Sequence, residues 1–219
     1  MLKLQSISKK YGAQKILDAV DFTVGQKEFV IIVGKSGVGK TTLLSILSGL
    51  VRTDEGKIFF NDEDISNFDE EQLARFRLMN IGIVFQDFKI ISSLSVYDNV
   101  YLALHPRKDI ERDKRKDMVN EMVTLVGLKD KLDKLVDNLS GGEKQRVAIA
   151  RSLVGMPKLV LADEPTGNLD ERTSEEIITL FEKLHDELDT TFIVITHDKE
   201  IASKAQKSYQ LTNYKLQIL

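Results

Sequence analysis

The 219-residue sequence lacks several features that mark other classes of protein. It contains no cysteine, which excludes a disulfide framework and a thiolate metal site and leaves nothing that indicates secretion. Lysine and arginine total 31 against 34 aspartate and glutamate residues, so no basic excess attracts nucleic acid. No apolar run approaches the roughly 18 residues that span a bilayer, and the amino terminus lacks a signal peptide's apolar core. We therefore expect a cytoplasmic chain that reaches a membrane only through a partner.

A glycine-rich segment, GKSGVGKT at residues 34–41, fits the phosphate-binding pattern G-x-x-x-x-G-K-[ST]. The apolar run 29–33 precedes it and the helix-prone segment 42–47 follows it, as this pattern requires. Glycine permits backbone angles closed to other residues, so successive N–H groups can surround a phosphate at the positive end of a helix. We expect Lys40 to bridge the β- and γ-phosphates and Thr41 to offer its hydroxyl to Mg²⁺. The nucleotide contacts expected from this loop are Gly34, Lys35, Ser36, Gly37, Val38, Gly39, Lys40, Thr41 and Thr42, although Thr42 also suits a helix-start hydroxyl that caps a free N–H group.

Two adjacent carboxylates follow the apolar run 158–162, which is typical of a buried parallel strand. Open α/β sheets bind ligands at the carboxyl ends of their strands, so this position suits a nucleotide site. We expect Asp163 to hold the Mg²⁺ shell and Glu164 to orient and deprotonate the attacking water. A solvated acidic turn before Pro165 and Gly167 is the plainer alternative, and the presence of the phosphate loop weakens it.

The segment LSGGE at residues 139–143 predicts the start of a helix. Ser140 as N-cap and Glu143 three residues later form a capping box ahead of an apolar stripe. A cap does not require Gly141 and Gly142, which cost roughly 1 kcal/mol each relative to alanine inside a helix. We interpret the two glycines as a place where a ligand approaches the backbone, because a bare helix N-terminus binds anions.

These motifs, in this order, resemble those of the ATP-binding subunits of ABC transporters along essentially the whole chain. The resemblance rests also on Tyr11 in KKYG, Gln86 in IVFQ, Asp170 in NLD and His197 in ITHD. It implies an ATPase that converts ATP and water to ADP and phosphate, with ATP and Mg²⁺ bound. It also implies a head-to-tail homodimer, in which each ATP lies between the phosphate loop of one copy and the LSGGE segment of the other.

The same resemblance assigns roles to single residues. Tyr11 would stack its ring on adenine, although a half-buried aromatic at a strand end is the plainer alternative. His197, at the end of the apolar strand 191–196, would donate from its ring to the γ-phosphate, whereas a lone histidine there is more often a surface residue. Gln86 would contact Mg²⁺ or water. The expected catalytic residues are Glu164, His197, Gln86 and Lys40, the expected metal ligands are Thr41, Gln86 and Asp163, and the further nucleotide contacts are Tyr11, Ser140, Gly141, Gly142, Glu143 and Asp170.

The sequence predicts an α/β fold: a P-loop (RecA-like) ATPase core with an antiparallel β lobe and an inserted helical subdomain. We expect a single nucleotide-binding domain over residues 1–219, with the β lobe near the amino terminus and the helical subdomain at about 87–155. Apolar residues at helical spacing predict a helix that covers 174–188. The segments 209–211 and 214–216 predict a hairpin that turns at Thr212 and Asn213, since asparagine tolerates a left-handed backbone.

Within the family, ADEPTGNLD at 162–170 is similar to the lipoprotein-release, macrolide-export and cell-division ATPases. This similarity implies an integral membrane permease or an FtsX/MacB-like membrane subunit as partner. It places Phe88, Ile90 or Ile91 in the groove that receives a cytoplasmic helix of that subunit. Two functions stay open: the chain energises a membrane transporter, or it is a mechanical or regulatory coupling protein that signals through a membrane partner to an extracytoplasmic enzyme. Related ATPases of chromosome organisation and translation are disfavoured, because no coiled coil interrupts the domain and one cassette is present.

Overall fold

The structure is a computed structural model that describes residues 1–202 and 205–219, with the backbone alone described at 199 and 200. Its strands are β1 Leu2–Tyr11, β2 Gln14–Val24, β3 Phe29–Val33, β4 Glu55–Phe60, β5 Glu63–Asp64, β6 Ile81–Val84, β7 Leu159–Asp163, β8 Thr191–Thr196, β9 Lys207–Thr212 and β10 Lys215–Ile218. Its helices are α1 Lys40–Leu47, α2 Glu70–Asn80, α3 Val96–Tyr101, α4 Arg112–Leu125, α5 Gly141–Leu153, α6 Glu171–Glu187 and α7 Lys199–Ala202. Of the helices in these described ranges, none combines the length and the apolar character needed to cross a membrane.

Over the described residues, the strands form two sheets. The larger sheet has the order β10-β9-β3-β8-β7-β6, and its strands pair in parallel except for β10, which runs antiparallel to β9. The smaller sheet has the order β2-β1-β4-β5 and is antiparallel. Helices α3, α4 and α5 lie between β6 and β7 in the sequence. The predicted α/β fold, with an antiparallel β lobe and inserted helices, is confirmed.

The central parallel strands carry apolar side chains at successive positions, and successive side chains point to opposite faces of the sheet. Both faces of these strands are therefore buried. On β3, Phe29, Ile31 and Val33 face a core built with α3 to α6, whereas Val30 and Ile32 face a core built with α1 and the β lobe. Each of these strands therefore packs between two hydrophobic cores. The parallel pairing of β3, β8 and β7 brings their carboxyl ends to one edge of the sheet.

Two local boundaries differ from the sequence expectation. Helix α6 begins at Glu171 rather than at residue 174, because the Asp170 carboxylate caps it by accepting the Thr173 N–H at 3.0 Å. The terminal hairpin forms as predicted, but its turn lies at Asn213 and Tyr214, one residue later than expected. Both turn residues have positive φ, 48° and 65°, as the favoured two-residue hairpin turn requires.

Candidate active site

A cavity of about 540 Å³ opens where β3, β7 and β8 end. The four residues predicted to be catalytic all line it, together with most of the phosphate loop. Its lining consists of Tyr11, Ile16, Ser36, Gly37, Gly39, Lys40, Thr41, Thr42, Gln86, Glu164 and His197. The parallel sheet thus brings residues that are far apart in sequence to one place.

The phosphate loop depends on glycine at two positions for different reasons. Gly37 has φ of 74° and Gly39 has φ of 110°, both in the left-handed region. A Cβ at Gly39 would also lie 2.7 Å from Ile16 Cγ2, whereas a Cβ at Gly37 would meet nothing within 4 Å. Helix α1 follows directly, and its N-cap provides no side-chain hydrogen bond. The N–H groups of its first turn are therefore available to an anion.

Lys40 is held inside the loop by partners of the same chain. Its ammonium donates to the carbonyl oxygens of Gly34 at 2.6 Å and Lys35 at 3.2 Å, and it lies 3.1 Å from Glu164 Oε1. Only 7% of Lys40 is exposed, so the charge needs these partners. A phosphate group in the loop would offer this ammonium a second anionic partner in place of Glu164.

Glu164 is fixed between two basic side chains. Its Oε1 faces Lys40, while its Oε2 accepts the backbone N–H of His197 at 3.1 Å and lies 2.8 Å from His197 Nδ1. The Glu164 backbone has φ of 45°, which for a non-glycine residue costs on the order of 1–3 kcal/mol. Its N–H still donates to the Ile195 carbonyl at 2.8 Å, so β8 holds the residue in this conformation.

Thr41 lines the cavity, whereas Asp163, which is predicted to be a metal ligand, is not among the lining residues. Asp163 Oδ1 is buried and has no hydrogen-bond partner among the described residues, and Thr41 is near enough to this carboxyl to lower its pKa. Burial raises the pKa of Asp163, and this effect outweighs the opposing Thr41 hydrogen bond. A buried acceptor that lacks a donor is costly, and a bound cation would satisfy it. Carboxylate and hydroxyl oxygens are ligands that Mg²⁺ prefers, so the residues fit the ion.

The described residues contain no cluster of three or more His, Cys, Asp or Glu side chains that could hold a metal ion by itself. This pattern agrees with Mg²⁺ chemistry, since the ion is commonly held by one or two carboxylates together with substrate phosphates and water. The site therefore suits a cation that arrives with a nucleotide.

Gln86 lines the cavity, but its side chain bonds to the segment that follows Glu164. Its Nε2 donates to Asn168 Oδ1 at 3.4 Å, and Asn168 Nδ2 donates to the Gln86 carbonyl at 3.1 Å. Gly167 allows this approach, because a Cβ there would lie 2.9 Å from Gln86 Nε2. Gln86 and the segment 167–168 therefore form one unit at the cavity mouth.

Tyr11 ends β1 with its ring 51% exposed at the cavity. Lys9 lies near the ring, with Nζ 5.5 Å from its centroid, and pairs with Asp54 at 2.7 Å. Asp54 also accepts the Lys10 N–H at 2.7 Å. These contacts fix the end of the strand and leave an aromatic surface exposed for a planar ligand.

The LSGGE segment does not line this cavity, although it forms the start of α5 as predicted. Ser140 Oγ accepts the Glu143 N–H at 3.3 Å, and Glu143 Oε2 accepts the Ser140 N–H at 2.9 Å, so the predicted capping box is present. The second oxygen of Glu143 pairs with Lys131. Both oxygens of this carboxylate are therefore engaged within the chain.

Gly142 has a packing role that the sequence does not reveal. Gly141 is exposed, but Gly142 is buried, and a Cβ there would lie 2.5 Å from the Thr173 methyl carbon. Thr173 is held by Asp170, whose carboxylate also accepts the threonine hydroxyl at 2.8 Å. The expectation that both glycines serve only ligand approach is therefore incomplete, because contact between α5 and α6 requires the second one. Asp170 likewise acts here as a helix cap outside the cavity lining.

Residues 17–167 match the family described as "ABC transporter". The chain is 42% identical to the "ABC transporter ATP-binding protein YtrE" of Bacillus subtilis (strain 168), over 90% of this chain and 84% of that protein. It is 37% identical to the "Lipoprotein-releasing system ATP-binding protein LolD" of Francisella tularensis, over 100% of this chain and 96% of that protein. A solved dimeric structure of the ATP-binding cassette MJ0796, bound to ADP and phosphate, has a TM-score of 0.87 and 34% identity, covering 99% of this chain and 96% of that one.

The chain belongs to the ABC transporter family of ATP-binding subunits. The predicted resemblance is therefore confirmed, including its lipoprotein-release branch. The chain is an ATP-hydrolysing subunit that energises a membrane transporter, and the alternative of a mechanical or regulatory coupling protein is not favoured.

Two residues at the cavity of this ABC subunit are absent from the sequence prediction. Asn168 is part of the NLD motif and follows Glu164 by four residues. This short separation indicates that Asn168 lies in the loop that begins at Glu164. Ile16 has no such signal, because no local pattern places β2 against Gly39.

Proposed function

We propose that this chain hydrolyses ATP at the cavity, with Glu164 as the general base. The observation that carries the proposal is the Glu164 carboxylate, fixed between Lys40 and His197 beside a buried Asp163 oxygen without a partner. Tyr11 stacks on adenine, and residues 34–42 surround the phosphates. Lys40 binds the β- and γ-phosphates, and the His197 ring donates to the γ-phosphate.

The order of contacts follows from the charges. Lys40 lies 3.1 Å from Glu164 Oε1. When phosphate takes the ammonium, Oε1 is released, while Oε2 keeps its 3.1 Å bond from the His197 N–H. The carboxylate then has one free oxygen in a fixed orientation, which is what a base needs to orient and deprotonate water.

We infer that Thr41 and Asp163 hold Mg²⁺ and that Gln86 contacts the ion or its water shell. When bound, the ion stabilises negative charge on the phosphate oxygens. The unpartnered Asp163 Oδ1 and the hydroxyl of Thr41 support this assignment. Gln86 lines the same cavity as Thr41, and it would exchange its long 3.4 Å bond to Asn168 for this contact.

We further propose that two copies complete each site head to tail. Ser140 and Gly141 are exposed at the start of α5 and contribute nothing to the cavity lining of their own chain, so they are available to a nucleotide held by a second copy. A helix start without bulky side chains suits the γ-phosphate. The dimeric form of the MJ0796 cassette supports this arrangement. Gly142, Glu143 and Asp170 support the exposed start of α5 through the packing and the helix caps described above.

We assign residues 1–219 to one nucleotide-binding domain with a helical subdomain at about 87–155. The partner is a membrane permease, and an FtsX/MacB-like subunit is the form that we propose, supported by the relationship to LolD. We place the chain in the cytoplasm, at the inner face of the membrane through that partner. Ile91, which is 47% exposed and follows Gln86 by five residues, is a candidate contact with the permease.

The test is Glu164→Gln, with Glu121→Gln as the matched control on the exposed surface of α4. The glutamine keeps the size of the side chain and one acceptor oxygen but is not a base. We expect Glu164→Gln to bind ATP, to form an ATP-dependent dimer, and to lose about 10²-fold or more in turnover. The control should match wild type in all three assays. Turnover of Glu164→Gln within about twofold of wild type would exclude Glu164 as the base.

A further inference from the structure

Arg151, in the last turn of α5, reaches the loop that follows Gln86. Its Nη2 donates to the Phe88 carbonyl at 2.9 Å, and its Nη1 donates to the Lys89 carbonyl. Burial lowers the pKa of Arg151, and no attraction to a carboxylate opposes that effect. Partial burial of a guanidinium whose hydrogen bonds go to carbonyl oxygens is energetically unfavourable. The Arg151 hydrogen bonds therefore hold the loop and do not form a surface ion pair.

The loop that Arg151 holds has an unfavourable backbone. Phe88 has φ of 56° and Lys89 has φ of 49°, so two consecutive non-glycine residues are left-handed. Such residues cost on the order of 1–2 kcal/mol each and occur mostly singly. Their two carbonyl oxygens converge on the same guanidinium, whose planar donors match this geometry. We attribute the persistence of this conformation to Arg151.

Gln86 is two residues before the first of these left-handed residues. On its other side, Asn168 bonds to both its carbonyl and its side chain. The segment 86–89 is therefore fixed at one end by Asn168 and at the other end by Arg151. If the Arg151 bonds are lost, the Asn168 bonds to Gln86 remain, but the Phe88 and Lys89 carbonyl oxygens lose these donors.

Helix α5 connects this loop to the LSGGE segment. The helix runs from Gly141 to Leu153, and a continuous helix of this length spans about 20 Å. Ser140 caps one end, and Arg151 projects from the last turn at the other. A displacement of the Ser140 end is therefore transmitted to the Phe88 and Lys89 carbonyls.

We propose that Arg151 is a positioning residue for Gln86, which holds the Gln86 loop in its left-handed conformation and ties it to the helix that begins at the LSGGE segment. This inference rests on the proposed role of Gln86 in ATP hydrolysis. Arg151 touches neither the nucleotide loop nor the cavity lining, so its effect acts through the backbone of residues 86–89.

The first test compares Arg151→Met with Arg146→Met. Arg146 is on the same helix, donates to the Val126 carbonyl at 3.0 Å and pairs with Glu176 at 3.6 Å, but it does not contact the Gln86 loop. We expect Arg151→Met to lower kcat by about tenfold with KM for ATP within about twofold, because misplacing a water-orienting group slows chemistry more than binding. Arg146→Met should keep kcat. Equal kcat losses in the two variants, or an unchanged kcat in Arg151→Met, would overturn the proposal.

A rescue separates positioning from general destabilisation. Asparagine adopts the left-handed backbone more readily than lysine, so Lys89→Asn should favour the loop conformation without the guanidinium. In the Arg151→Met background we expect Lys89→Asn to restore at least about threefold of the lost kcat. Arg151→Lys keeps one donor group and should lie between wild type and Arg151→Met. A double variant no faster than Arg151→Met counts against backbone positioning.

A readout that does not depend on hydrolysis keeps this inference distinct from the proposed function. In the nucleotide-free chain, amide hydrogen exchange over residues 86–91 should rise in Arg151→Met and stay unchanged in Arg146→Met. If the wild-type chain fails to hydrolyse ATP, the proposed function fails, while the exchange result still tests whether Arg151 holds the loop. Unchanged exchange over 86–91 in Arg151→Met would reject the inference even if hydrolysis is normal.

Discussion

The close contact between Gly142 and Thr173 yields a quantitative prediction about why the LSGGE segment contains its second glycine. A Cβ at Gly142 would lie 2.5 Å from Thr173 Cγ2, more than 1 Å inside the roughly 3.5–4.0 Å optimum for carbon atoms. Overpacking of this kind costs about 1–3 kcal/mol. Alanine regains about 1 kcal/mol of helix propensity relative to glycine. We therefore expect Gly142→Ala to lose about 1 kcal/mol of unfolding free energy, or about 2–4 °C in Tm.

Thr173→Ser provides the matched relief of that clash. Serine lacks the methyl group that the new Cβ would meet, and it keeps the hydroxyl that donates to Asp170 at 2.8 Å. Gly142→Ala combined with Thr173→Ser should therefore recover most of the lost stability in denaturant unfolding. Gly141→Asp, at the exposed glycine, should also fold, but its carboxylate would repel the γ-phosphate of the facing copy.

The assay that separates packing from ligand approach is ATP-dependent dimerisation in the Glu164→Gln background, measured by size exclusion. We expect Gly141→Asp to bind ATP as a monomer and to form no dimer. A persistent dimer in this variant would refute the proposed contact between the LSGGE segment and nucleotide. Unchanged stability of Gly142→Ala alone would refute the packing argument instead.

Two further predictions concern other surfaces. Ile91 is 47% exposed, so Ile91→Ser should weaken co-purification with the membrane subunit while basal ATP hydrolysis stays within about twofold. Ile90 packs on the core, so Ile90→Ser should instead lower Tm. Equal Tm losses in the two variants would identify both residues as core. The Arg107 guanidinium lowers the pKa of Asp109 from 3.8 to about 2, so this pair stabilises the fold above pH 3.8 and loses that contribution as the pH falls toward about 2. Asp109→Asn should therefore lower stability in urea at about pH 6 and show a smaller deficit at about pH 3, and an equal deficit at both would contradict the ion-pair argument.

The parts of the site that the sequence predicts are those formed by contiguous residues. The phosphate loop 34–41 combines a buried strand, glycines and a helix start, and the capping box of Ser140 and Glu143 closes within one turn. Strand β7 is a continuous apolar run because both of its faces are buried, so its end and the carboxylates there are also predictable. In each case local chemistry and tertiary burial favour the same structure.

Contacts between distant segments are not predictable in this way. Gln86 and Asn168 are 82 residues apart, and Arg151 and Phe88 are 63 apart, so neither bond follows from a local pattern. Helix α2 has a weakly amphipathic sequence, and its start depends on a capping box of Asp69 and Gln72. The packing of Gly142 on α6 likewise requires the relative placement of two helices, which burial of the whole core determines.

Three features at the cavity are unfavourable for the fold by themselves. Lys40 is buried with Glu164 as its anionic partner, Glu164 has a left-handed backbone, and Asp163 Oδ1 lacks a hydrogen bond. On the proposed function, phosphate would give Lys40 a new anionic partner, and a cation would give Asp163 Oδ1 a partner. Glu164 would then lose its ion pair, while the His197 N–H would still bond to its second oxygen. The same ammonium would therefore contact both the base and the phosphate that the base acts on, so phosphate binding would free one oxygen of the carboxylate.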